Sequence, residues 1–152
     1  MPEKRVQKRA QQDKADGKAP STQAGEFVRE EIHHVREGKH GARSAKQTIA
    51  IGLSKARRAG VELPAPKPGK TSAKTRKSAA RDTAVGHSTR RRAPSKRRSR
   101  ASLSALKREG HSAASTRALS KQTRSAAKKR TSKERSGAAR KAARTRAAES
   151  TA

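Results

Sequence analysis

The sequence predicts a mostly α-helical protein with extensive disorder: an N-terminal αα-hairpin, then a cationic tail that turns helical when its charge is neutralised. Three observations carry that expectation. Leu, Ile, Val, Met and Phe together number 15 among 152 residues, and Phe27 is the sole aromatic, too little for a full-sized core. The formal net charge is +29, and high charge with few large apolar groups is the signature of a solvated chain. Only the stretch Ser44 to Gly60, SAKQTIAIGLSKARRAG, combines a helix start, an apolar period and a stop.

Residues 1–20 are polar and of mixed charge, closing on Gly17 and Pro20. Nothing gives them a face to bury, so they are expected to form a flexible arm. Residues 21–62 form the hairpin. Its first helix, STQAGEFVREEIHHVRE, is expected to be capped by Ser21 or Thr22, with Glu26, Glu30 and Glu31 complementing the positive N-terminal end. Ala24, Val28, Ile32 and Val35 line one face, with Phe27 at its edge, and Gly38 ends the helix.

The second helix opens with a capping box, Ser44 and Gln47. Ala45, Ile49, Leu53 and Ala56 recur at spacings of four, four and three, which is one face at helical period. Gly52 joins that stripe and permits close approach. Gly60 accommodates a left-handed end and Pro64 prevents resumption. The short connection GKHGAR predicts an antiparallel pair, whose seam joins Phe27, Val28, Ile32 and Val35 to Ile49, Leu53 and Ala56. Arg43, Lys46, Arg57 and Arg58 fall on the opposite, cationic side. So small a core is marginal alone, and self-association through the hairpin or ligand binding would complete it.

Residues 63–101 read as a disordered basic linker, beginning in a Pro-rich spacer that should be extended. Residues 102–152 read as a basic, Ala-rich and conditionally helical tail, with good propensity but no apolar stripe. The charge is uneven. Before Leu63 there are 14 basic and 8 acidic residues; from Leu63 onward there are 27 and 4. Two faint internal echoes, IHHVREG with LSALKREG and TSAKTRKSAAR with TSKERSGAAR, each with one gap, suggest a duplication, in a biased composition where Ala, Ser, Lys and Arg match easily by chance.

A positive charge on about every third residue of the C-terminal part suits a polyanion, because each cation seated on a phosphate releases condensed counterions. The candidate phosphate contacts are Arg43, Lys46, Arg57 and Arg58 on the hairpin and Arg90, Arg91, Arg92, Lys96, Arg97, Arg98 and Arg100 in the run RRRAPSKRRSR. Lys128, Lys129, Arg130, Arg140, Lys141 and Arg144 complete the set in the tail. With Phe27 as the sole aromatic there is no stacking platform for unpaired bases, which disfavours sequence-specific RNA readout and places DNA ahead of RNA. No Leu-rich or aromatic face accompanies the charge, so no membrane partner is expected.

Catalysis is not expected. No nucleophile triad, carboxylate pair or Gly-rich phosphate loop is discernible, and no cavity for a small-molecule substrate is foreseen. With no Cys there is no thiolate site. His33, His34 and His40 invite a metal reading, but adjacent helical histidines point about 100° apart and a third donor at fixed geometry is missing. No metal and no cofactor are expected. The N-terminus lacks an apolar centre, so no secretory signal is read there.

Residues 26–60 resemble a family of small basic bacterial proteins of uncharacterised function. Its KQ-AIAIGLS-ARRAG core is matched here from Lys46 to Gly60, with Thr48 where Ala is usual. The remainder is similar in kind to the tails of bacterial histone-like proteins and linker histones. The resemblance implies a bacterial cytoplasm and carries no activity. The expectation is a non-enzymatic, largely sequence-independent DNA-binding protein of the nucleoid, nuclear only in a eukaryotic host. Its alternatives are an RNA- or ribosome-associated basic protein, and an adaptor that docks through the hairpin.

Overall fold

In the computed structural model, which describes residues 3–88 and 95–150, every regular element is helical. The chain divides into two compact units, Met1–Ser115 and Thr116–Ala152. The first holds α1 (Lys4–Ala15), α2 (Pro20–Arg36), α3 (Ala45–Arg58), α4 (Ala73–His87), α5 (Lys96–Lys107) and one 3-10 turn, Ser112–Ala114. The second holds α6 (Thr116–Lys128) and α7 (Ser132–Ser150). Among the described residues no helix is long and apolar enough to cross a membrane.

The expected hairpin exists, and α2 packs along α3. Its N-terminal surroundings differ from expectation. Residues 4–15 are a packed helix and not a flexible arm, because Val6 and Ala10, one turn apart, are both buried against α2. The start of α2 also moves. Pro20 occupies its first turn behind Ala19, and neither Ser21 nor Thr22 caps it. Pro is suited to that position, since its φ is already helical and the missing N–H would have no intrahelical acceptor. Glu26, Glu30 and Glu31 consequently sit too far along the helix to complement its N-terminus.

The Ser44 box forms. Ser44 Oγ accepts from the Gln47 amide at 3.2 Å, and Gln47 Oε1 accepts from the Arg43 amide at 2.9 Å. Gly60, at φ +94°, closes the helix in the left-handed region that other residues avoid. The buried face of α3 is turned from the expected one. It comprises Ala45, Thr48, Gly52, Ala56 and Arg57, while Ile49 and Leu53 are half-buried flanks. Small residues at the crossing are the cause: a Cβ built on Gly52 would stand 2.7 Å from Val28 Cα. At so close an approach the bulkier Ile49 and Leu53 pack beside the contact.

Two small cores replace the single seam. Val6, Ala10, Ala24, Phe27, Ala56 and Val61 form the first, flanked by Leu53, Ala59 and Leu63. Val35, Ala42, Ala113 and Ala114 form the second, flanked by Ile32. Of the predicted seam, Phe27, Val35 and Ala56 are fully enclosed; Val28, Ile32, Ile49 and Leu53 are half-buried. The second core draws on residues far along the chain. The amides of Gly41 and Ala42 donate to Leu106 and Gly110 carbonyls at 2.9 and 3.0 Å, which brings Ala113 and Ala114 over Val35.

Over the described residues, the disorder expected of 63–101 and the conditional helicity of 102–152 are not supported, since α4 to α7 are regular helices. Past the Pro-rich spacer, Ser72 Oγ accepts from the Thr75 amide at 3.2 Å and starts α4, whose Ala79 and Asp82 face inward. In the second unit α7 opens with a reciprocal box. The Thr131 amide donates to Glu134 Oε2 at 2.8 Å, and the Glu134 amide donates to Thr131 Oγ1 at 3.2 Å. Apolar content measures how much core a chain can build. It does not measure helix formation by Ala, Lys and Arg, which satisfies the backbone locally and leaves the cations in water.

Candidate nucleic-acid interface

The predicted phosphate contacts divide by unit. On the hairpin, Arg43 and Lys46 are exposed, with Glu109 3.6 Å from Arg43. Arg57 does not lie on an outer cationic face. It is buried, its Nη2 donates to the Pro64 carbonyl at 3.3 Å, and burial pushes its guanidinium below its ordinary pKa against the pull of Asp82. The inward turn of α3 puts it there. Arg58 is held in place too: its Nε donates to Asp82 Oδ1 at 2.9 Å, while Ser54 Oγ donates to Oδ2 at 2.6 Å. Asp82, itself 5% exposed, thus fastens α4 to α3 with hydrogen bonds strengthened by charge.

Arg90, Arg91 and Arg92 lie outside the described residues. Lys96, Arg97, Arg98 and Arg100 are exposed on α5. Lys128, Lys129 and Arg130 are exposed at the end of α6, and Arg140, Lys141 and Arg144 are exposed on α7.

The second unit contains a stripe that composition alone did not single out. Arg117, Lys121, Arg124 and Lys128 recur at spacings of four, three and four along α6 and line a shallow groove with Ser120 and Ser125. Among the described residues none of these four cations has an ion-pair partner. The period was legible in the sequence as a repeat of charge. A search for apolar stripes passes over it.

Charge in the first unit is arranged differently, around the inward side of α2. Glu30 and Glu31 are 6% and 1% exposed. The Lys55 ammonium of α3 pairs with Glu31 Oε2 and stands 3.8 Å from Glu30 Oε2. His40 Nε2 lies 2.9 Å from Glu31 Oε1, and Glu30 Oε1 accepts from the Glu3 amide at 2.6 Å. His34 Nε2 is 3.4 Å from Glu3 Oε1. That contact, with Arg5 and Lys39 nearby, holds the half-buried Glu3 carboxyl below its usual range. Hydrogen bonding to Glu37 holds Lys39 above its own.

The donor missing from the histidine motif is therefore Glu31, supplied by α2 itself. Glu31, His34 and His40 each bring a ligand-type atom within 4.8 Å of the others, and so do Glu3, Glu30 and His34. His33, by contrast, is exposed and belongs to neither group. No periodicity could have paired His40 with Glu31, because the connecting loop returns the histidine to the helix it has just left.

Residues 16–68, which include α2, α3 and the loop between them, match a family of unknown function (DUF6496). Neither a curated protein nor a solved structure matches the chain.

Proposed function

We propose that this is a non-enzymatic, largely sequence-independent DNA-binding protein that acts by phosphate neutralisation in the bacterial nucleoid. The cationic stripe of α6 is the observation that carries the reading. Four cations over twelve residues span about 16 Å at 1.5 Å per step, a length along which one DNA strand presents about five phosphates. Residues 116–152 hold 12 basic and 2 acidic residues, so internal pairing cannot absorb the charge. Helical spacing fixes the cations without requiring a base-reading side chain, and contacts to phosphates alone carry no sequence information.

The test compares the full chain with residues 1–115 in mobility shift on unrelated duplexes over a series of salt concentrations. The full chain is expected to bind them alike, and truncation is expected to reduce the log–log salt slope by about 0.9 for every phosphate that is no longer neutralised. Equal slopes for the two proteins would move the interface to the first unit. A strong preference for A-form RNA duplexes would favour the RNA-associated reading.

A further inference from the structure

We infer that the Glu31–His34–His40 cluster is a binding site for a divalent transition-metal cation of the zinc class, which clamps the α2–α3 loop to α2. Three features point to a cation. The donor set is two imidazoles and a carboxylate, the chemistry that suits Zn²⁺ and its neighbours, and all three donor atoms come within 4.8 Å of one another.

The second feature is the orientation of His40. Its Nδ1 lies 3.0 Å from the Gly41 carbonyl and its Nε2 faces Glu31 Oε1. A neutral ring has one donor and one acceptor nitrogen, yet both nitrogens here face oxygen. In the tautomer of a neutral ring whose Nδ1 donates to the carbonyl, Nε2 turns a lone pair toward the carboxylate, an arrangement that a cation held by both satisfies. A backbone carbonyl on the other nitrogen is also how metal-bound histidines are commonly oriented.

The third is a carboxylate short of hydrogen bonds. Glu30 Oε2 is buried without one, in a side chain only 3% exposed; the Lys55 ammonium 3.8 Å away sits closer to Glu31, and Glu30 shares His34 with the adjoining Glu3 group. Around the cluster, Glu3, Glu30, Glu31 and Glu37 are met by Arg5, Lys39 and Lys55.

Lys55 pairs with Oε2 of Glu31, which leaves Oε1 as the coordinating atom. The site would then fasten the loop whose Gly41 and Ala42 amides anchor residues 106–110, so a bound cation stabilises both the hairpin and the second core.

The untagged full chain is titrated with Zn²⁺ alone against a chromogenic chelator, beside His34→Gln, His40→Gln and the exposed-neighbour control His33→Gln. One Zn²⁺ per chain is expected. His34→Gln and His40→Gln should each weaken binding at least about tenfold, and His33→Gln should leave it within about twofold. Equal affinity in all four proteins would overturn the site in favour of scattered surface histidines. Two measurements on the wild type stand independently of how the variants fold. Zn²⁺ should raise its thermal midpoint, and Co²⁺ should give the intense visible bands of a four-coordinate N/O site. An unmoved midpoint, or only the faint spectrum of hydrated Co²⁺, rejects the proposal.

Discussion

The two units carry the same kinds of residue and use them in opposite ways. In Met1–Ser115 many charges are turned toward one another: Arg58 to Asp82, Lys55 to Glu31, Arg9 and Arg29 to Glu26. In Thr116–Ala152 no residue from 116 to 148 is buried, and the cations stand on helical faces in water. The contrast follows from where the acids are. Ten of the twelve lie in the first unit, and a buried carboxylate demands a partner, because an uncompensated buried charge costs several kcal/mol. The second unit has too few acids to draw its cations inward. The same basic composition therefore yields a packed scaffold in one region and an open polycation in the other.

The largest blow to that contrast would be struck at Phe27, the largest fully buried side chain among the described residues, packed between α1, α2 and α3. Phe27→Ala should cost about 3–5 kcal/mol. A domain with so few large apolar groups has little to spare, so the thermal transition of the first unit should vanish or fall steeply in circular dichroism. Binding to duplex DNA should largely survive, because the α6 stripe does not depend on that core. Retention of the full transition would mean that ion pairs, and not the apolar cores, hold the unit.

A smaller effect tests the crossing of α2 and α3. Gly52→Ala places a methyl 2.7 Å from Val28 Cα, where backbone must yield, and should cost about 1–3 kcal/mol. Gly25→Ala on α2 meets nothing within 4 Å and should gain about 0.5–1 kcal/mol from helix propensity. Opposite signs in urea unfolding are the expected result. A destabilised Gly25→Ala, or a neutral Gly52→Ala, would show the helices to cross elsewhere.

The smallest change in stability belongs to the second unit. Arg117→Gln combined with Arg124→Gln should move unfolding of the chain by no more than about 0.5 kcal/mol, as exposed substitutions do. The pair should nevertheless lower the salt slope of DNA binding by roughly two. An unchanged slope would separate α6 from the phosphates and weaken the contrast at its functional end.

What the sequence determined by itself is what lies within a helical turn or two of each residue. The Ser44–Gln47 box, the left-handed stop at Gly60, the close approach at Gly52 and the pairing of two helices across a short loop were all legible, since each depends on neighbours three or four positions away. The Thr131–Glu134 box and the charge period of α6 are of the same kind and were equally available. Tertiary structure decided the rest. Glu3 reaches Glu30, Asp82 reaches Ser54 and Arg58, and Arg36 donates to the Ala114 carbonyl. These contacts join residues 24 to 78 positions apart and leave no local period. Small residues chose the buried face of α3, because the closest approach of two backbones lies where side chains are smallest and not where they are most apolar. That choice drew Arg57 into the interior. The return of the loop then set His40 against Glu31, an encounter fixed by the path of the backbone and by the need of a buried carboxylate for a partner.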